Sequence, residues 1–198
     1  MHKKAKIILA SASQRRKEIL GLTGLEFRVE ESGVEEVMRE SVPAGRLARL
    51  LSRQKAEAVA QREKERGGNA IVIAADTFIS FNGRYLGKAN DRAEASQMLR
   101  MLSGRRHLVV TGYTVMDSSS GRRESGSIET KVHFRRLGPG EIDSYVKTGE
   151  PIGKAGAYAI QGMGAALVKK IEGDFFNVVG LPLSALVITL KKLGIRIL

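Results

Sequence analysis

Residues 70–76 read Ala70-Ile71-Val72-Ile73-Ala74-Ala75-Asp76, an unbroken apolar run that ends in a carboxylate. A short continuous run of this kind suits a strand covered on both faces of an α/β sheet. Open α/β sheets bind ligands at the carboxyl ends of their parallel strands, so Asp76 is read as a catalytic acid at a strand tip. The competing reading is an exposed turn aspartate. The residues on either side of the run decide between the two.

Upstream, Lys6 to Ala10 reads as a first strand, Gln14 to Leu22 as a helix stopped at Gly24, and Phe27 to Glu31 as a second strand. Pro43 to Arg66 carries Leu47, Leu50, Leu51, Ala58 and Val59 on one helical stripe, ended by Gly67-Gly68. Downstream, Asn82-Gly83 suits a type I′ turn and predicts a hairpin of residues 78–81 with 84–86. Asp91 and Glu94 open a helix that stops before Gly104, and His107–Met116 and Ser127–Phe134 read as antiparallel strands around a turn at 117–121. A short helix at Pro139–Lys147, a glycine-punctuated loop and strand region, and a helix at Pro182–Leu193, with proline in its first turn, complete the chain. Length and the lack of any long linker predict one domain, residues 1–198, built as two lobes around a cleft.

Composition narrows the chemistry. With no cysteine there is no disulfide framework and no thiolate metal site, so a metal would be held by oxygen or histidine ligands, and oxygen-bound magnesium or manganese fits best. Lys and Arg number 33 against 21 acidic residues, a net +12 that attracts anions. Aromatics are 5% of the chain and tryptophan is absent, which argues against specific nucleic-acid binding by base stacking. The apolar stretch Ile7–Ala10 is too short for a signal peptide, and no run of about 18 apolar residues occurs, so the expectation is a soluble, cytoplasmic protein with no membrane partner.

Ser13 stands where a helix N-cap belongs, yet Arg15, Arg16 and Lys17 follow it directly. A helix start carries partial positive charge, so three cations there are unfavourable unless an anion sits among them. A serine hydroxyl, free backbone N–H groups and two guanidinium forks suit a polyphosphate; the alternative is a solvated basic face. Lys55 shares a helical line with Leu47, Leu51 and Val59, so it either snorkels to solvent or points into a cleft where a charged ligand meets it. Lys88, just after the hairpin, is close enough in the chain to reach the same cleft. Glu35 and Glu36 lie in a loop with Glu30, Glu31 and Glu40; most of these read as solvated, but one placed beside Asp76 would complete a magnesium site. His2, His107 and His133 show no ligand spacing and read as structural or exposed. The glycines near 153 and 162 form neither a Walker loop nor a dinucleotide fingerprint.

Several ordered blocks, Leu9-Ala10-Ser11-Ala12-Ser13-Gln14-Arg15-Arg16, Gln54-Lys55-Ala56, Ala75-Asp76-Thr77, Leu86-Gly87-Lys88, Leu102-Ser103-Gly104-Arg105, Lys154-Ala155-Gly156-Ala157-Tyr158, Ile160-Gln161-Gly162 and Asn177-Val178-Val179-Gly180-Leu181-Pro182, closely resemble the Maf proteins over nearly the whole chain. These are nucleoside triphosphate pyrophosphatases of the inosine-triphosphatase-like fold. The resemblance implies an α/β fold with a twisted mixed sheet flanked by helices, a divalent metal cofactor and a homodimer. It further implies that Asp76 is the proton acceptor, that Glu36, Lys55, Lys88 and Gln161 are cleft residues, and that Ser13, Arg15 and Arg16 form the phosphate turn. Ala-Asp-Thr together with Ala-Tyr-x-Ile-Gln-Gly is similar to the branch that hydrolyses dTTP and UTP, in which Arg15, Thr77 and Gln161 correspond to positions linked to base selectivity. Gln14 and Ala89 stand where the family usually has proline. The implied role is hydrolysis to a monophosphate and pyrophosphate, with a nucleotide-binding regulator of septum formation as the alternative.

Overall fold

The apolar runs and helical stripes fold in the order β1 (Lys6–Leu9), α1 (Gln14–Gly21), β2 (Phe27–Val29), α2 (Ala44–Glu65), β3 (Ala70–Phe81), β4 (Arg84–Leu86), α3 (Arg92–Leu102), β5 (Arg106–Asp117), β6 (Arg123–Phe134), α4 (Pro139–Lys147), β7 (Val168–Glu172), α5 (Phe175–Val179) and α6 (Leu183–Lys192). This computed structural model describes residues 6–197, so the expectation for His2 lies outside it. The strands make one 7-stranded sheet in the order β2-β1-β3-β5-β6-β7, with β4 paired to the far end of β3. β1 runs parallel to β2 and β3, and all other pairings are antiparallel. The fold is therefore α/β with a mixed sheet, as expected.

One expectation is corrected at the residue that matters most. The strand does not end at Asp76, because residues 76–80 go on pairing with 112–108 of β5, and Phe78, Ile79 and the Asn82-Gly83 hairpin carry it on to Phe81. Asn82 and Gly83 both adopt positive φ, 49° and 77°, as the predicted turn requires. What ends is the parallel pairing, since β1 stops at Leu9 opposite Ile73. Asp76 thus lies mid-strand, just beyond the carboxyl end of β1 rather than at the tip of β3.

Alternation along β3 sorts its side chains between two layers. Ala70, Val72 and Ala74 pack on Ala56, Val59 and Ala60 of α2, and Phe78 on Leu47, Ala48 and Leu51. Ile71, Ile73 and Ala75 face Leu186 and Leu190 of α6 instead. Asp76 falls in the row that faces α2, and Thr77 in the opposite row. Gly112, the β5 partner of Asp76, lets α2 approach: a Cβ there would meet the Ala48 carbonyl oxygen at 2.0 Å. Ser52 of α2 reaches Thr114 of β5 at 3.0 Å, so a hydroxyl pair joins the glycine contact in holding the helix at this height.

Other boundaries also shift. β2 ends at Val29 rather than Glu31. β6 starts at Arg123 rather than Ser127, because the Asp117 carboxylate caps a tight turn through Ser119 and Ser120. Pro182 precedes α6 instead of occupying its first turn. No helix among the described residues is long and apolar enough to cross a membrane.

Candidate active site

From Leu9 the chain leaves the sheet, with the Ala10 amide donating to the Ile73 carbonyl at 2.7 Å, and turns through Ser11 and Ser13 into α1. Ser13 is the N-cap, its Oγ accepting the Arg16 amide at 3.5 Å, and the first turn holds no acidic residue. Gln14, the first residue of α1, donates from Nε2 to Glu18 Oε1 at 3.0 Å, one turn along the helix. Arg16 is held at three points: Nε donates to the Gly180 carbonyl at 2.8 Å, Nη1 to Ser11 Oγ at 3.3 Å and Nη2 to Thr77 Oγ1 at 3.0 Å. A guanidinium has five N–H donors, so two remain for an anion. Desolvation lowers the Arg16 pKa, while the negative charges of Asp76 and Glu36 oppose that shift. The group remains a cation.

On the other face of β3, Lys55 does not snorkel. It is 6% exposed, and its Nζ hydrogen-bonds Asp76 Oδ1 and Glu36 Oε1, the latter at 2.7 Å. Lys88 Nζ reaches the same Glu36 oxygen at 3.0 Å. Burial alone would raise the Glu36 pKa, but the charges and hydrogen bonds of Lys55 and Lys88 overcome it and hold the carboxyl at about 2. Glu36 arrives here because its loop is anchored at both ends. Arg62 of α2 donates to Glu30 Oε1 at 2.9 Å and to the Ser32 carbonyl at 3.0 Å, and the Tyr85 hydroxyl donates to the Val42 carbonyl at 2.8 Å. Glu30 is therefore not solvated, as the sequence suggested for most of this loop, but is paired with Arg28, Arg62 and Arg66. Glu35 is exposed, and Glu36 is the carboxylate turned inward.

These groups meet across a cleft of about 1020 Å³ lined by Ser13, Arg15, Arg16, Glu36, Lys55, Thr77, Lys88 and Gln161. Asp76 lies behind the wall, 1% exposed, in contact with Lys55, while Lys17 and Glu35 are exposed outside the cleft lining. His107 is buried against Tyr158 at 2.9 Å, away from the carboxylates, with its pKa lowered to about 4 first by burial and then by His133. Several contributors were missed. Ser11 and the Gly180 carbonyl orient Arg16, and Thr111 bonds Thr77 at 2.9 Å and the Asn177 carbonyl at 3.0 Å. Lys154 joins the cleft because residues 87–89 and 152–156 are zipped together by backbone bonds. Membership in the quoted sequence blocks was the only signal for Ser11, Lys154, Asn177 and Gly180, and Thr111 lay inside a predicted strand.

No group of three or more His, Asp or Glu side chains gathers as a metal cage among the described residues. The acidic pair has spare capacity all the same. Asp76 Oδ2 is buried without a hydrogen-bond partner, and both lysines take the same oxygen of Glu36. Such a pair fits a hard cation that uses one or two carboxylates and completes its shell with phosphate oxygens and water.

A cation-rich helix start and a lysine-bridged carboxylate pair, on opposite sides of one strand at the end of a parallel strand, define a polyphosphate-handling α/β protein. Residues 6–193 match the family described as Maf-like protein, and the chain belongs to that family. It is 46% identical over 192 residues to the dTTP/UTP pyrophosphatase of Pelotomaculum thermopropionicum, covering 97% of this chain and 98% of that relative. It is 50% identical over 187 residues to the dTTP/UTP pyrophosphatase of Thermoanaerobacter sp., covering 94% of this chain and 96% of that one. Among solved structures, the Ham1 protein of Staphylococcus aureus aligns at a TM-score of 0.42 and 20% identity, over 65% of this chain and 71% of that chain.

Proposed function

We propose that the protein hydrolyses dTTP and UTP between the α and β phosphates, giving the nucleoside monophosphate and pyrophosphate. The observation that carries this is Asp76, a buried carboxylate with one oxygen fixed by Lys55 and the other without a partner, beside a cleft whose wall is the Ser13-to-Arg16 turn. In this reading the triphosphate lies against the start of α1, where Arg15, Arg16 and the backbone N–H groups meet its charge. Lys55 holds Oδ1 of Asp76, which leaves Oδ2 to orient water and take its proton, with Glu36 alongside. The water oxygen bonds to the α phosphorus as the bond to the bridging oxygen breaks, and pyrophosphate leaves with that electron pair. Lys88 and the arginines offset its charge.

Asp76 and Glu36 are the residues that would hold a divalent cation. Bound there, magnesium or manganese would supply a Lewis acid that polarises phosphoryl oxygens. Arg15, Thr77 and Gln161 are proposed to select the base. The continuity of the sheet supports a single domain with two lobes, and the resemblance supports a homodimer. Analytical ultracentrifugation tests the dimer.

Pyrophosphate release from a panel of triphosphates, with magnesium or manganese and with chelator, tests the activity. Turnover of dTTP and UTP that chelator abolishes, and that Asp76→Asn loses while staying folded, is expected. Nucleotide binding without turnover would replace the enzyme reading with that of a sensor.

A further inference from the structure

Glu150 follows α4 in a stretch that no sequence motif singled out. Its carboxylate gathers the loop that carries Gln161. Oε2 accepts the Met163 amide at 3.0 Å, and Oε1 accepts the Gly164 amide at 2.9 Å and the Tyr145 hydroxyl at 2.8 Å. The same hydroxyl accepts the Ala159 amide at 3.2 Å. Backbone N–H groups on both sides of Gln161 are thus tied to one acid and phenol pair. The loop passes so close over the carboxylate that a Cβ on Gly162 would lie 2.4 Å from Oε2.

Burial would raise the Glu150 pKa, but the bonds from Gly164, Tyr145 and Met163, together with the charge of Arg15, hold it below its ordinary value. Glu150 is therefore an anion. An irregular loop needs partners for its N–H groups, and neutral acceptors would serve that need as well. A carboxylate does more, because its charge strengthens the bonds it takes from the Met163 and Gly164 amides.

We propose that Glu150, supported by Tyr145, is a positioning residue for base selection, fixing the Gln161 loop over the cleft. The inference rests on the reading of the cleft as a pyrimidine triphosphate site with Gln161 among its base-selecting residues. It extends base selection to a residue that lies outside the cleft lining.

Steady-state kinetics of Glu150→Gln, Tyr145→Phe, Gln161→Ala and the double variant Glu150→Gln/Gln161→Ala, with dTTP, UTP, CTP and GTP, test it. Glu150→Gln keeps one acceptor oxygen and loses the charge. The expected result is a rise of about tenfold in KM for dTTP, with kcat held within about twofold and the preference for dTTP over GTP reduced by a similar factor. Tyr145→Phe moves the same way by less, and it keeps its ring in the core should Glu150→Gln fold poorly. Because Glu150 acts through Gln161, the double variant is expected to be no worse than Gln161→Ala alone. Unchanged selectivity in both Glu150→Gln and Tyr145→Phe, or an equal fall of kcat for every base, overturns the inference and leaves Glu150 a loop pin. If Gln161→Ala keeps wild-type selectivity, the base-selecting role of Gln161 fails and this inference falls with it. Pyrimidine turnover by the wild type would still stand apart from that failure.

Discussion

Replacing Lys55 by methionine removes the cation that touches Asp76 while keeping most of the volume of the side chain. Asp76 is 1% exposed and its second oxygen has no hydrogen-bond partner, so the carboxylate is left with no direct compensation. Stripping one partner from a buried ion pair costs about 3–5 kcal/mol. Arg16 is near enough for Asp76 to act on its charge, which points to the lower end of that range. At about 3 kcal/mol, and about 2–4 °C per kcal/mol for a chain of this length, the Tm falls by roughly 6–12 °C. Asp76→Asn is not the mirror image. Lys55 keeps Glu36 at 2.7 Å and the amide oxygen still accepts, so the loss is about 1 kcal/mol. The double variant Lys55→Met/Asp76→Asn leaves no uncompensated buried charge and is expected within about 1 kcal/mol of the wild type. Urea and thermal unfolding of the three variants measure this, with pyrophosphate release lost in all of them. An Asp76→Asn variant as unstable as Lys55→Met, or a double variant that recovers nothing, would refute the electrostatic account.

Three further outcomes follow from the same geometry. Glu36 has its carboxyl lowered from 4.5 to about 2, so its contribution to stability is present above the unfolded value and lost as pH falls from about 4.5 through 2; Glu36→Gln flattens the Tm-against-pH curve in that window, and parallel curves would deny the pairing. Gly112→Ala drives a Cβ against the Ala48 backbone, costs about 1–3 kcal/mol by overpacking and lowers kcat by shifting the helix that carries Lys55, as thermal unfolding and turnover together would read. Arg16→Lys keeps the charge but loses at least two of the three bonds to Ser11, Thr77 and Gly180; at roughly 1.5 kcal/mol each, kcat/KM falls about 100-fold, and a loss below about threefold would show that charge alone suffices.

Much of the fold was legible because local and global signals agree. The α2 stripe placed Leu47, Leu51, Lys55 and Val59 on the buried face, although Leu50 and Ala58 lie at its half-buried margin and Ala48, Ala56 and Ala60 complete it, and Asn82-Gly83 reported its hairpin. Dipole arguments singled out a turn that lines the cleft, because Arg15, Arg16 and Lys17 are unfavourable on a bare helix. Residues that act through backbone atoms left no such trace. Gly180 orients Arg16 through its carbonyl oxygen, and Glu150 holds its loop through amides that any residue would supply. Glu30 looked like one more solvated acid, since its three arginine partners come together only when β2 packs beside the end of α2.

The misplaced end of β3 shows why a mid-strand acid belongs in this site. At the tip of a strand Asp76 would be hydrated and mobile. With Ala74 and Phe78 on either side in the row under α2, and Gly112 across from it, the carboxylate is instead dried and held in line with Lys55. Thr77, one residue on, points to the other face and braces Arg16. A single step of strand alternation therefore links the acid on one face to the Ser13-to-Arg16 turn on the other, and the link is rigid because β5 pairs with both residues. A parallel strand that stops at Leu9 opens the cleft, and the longer strand β3 beside it runs on, paired with β5, to carry Asp76 and Thr77. The site depends on the difference in length between the two strands, and an apolar run read alone cannot report where its neighbour stops.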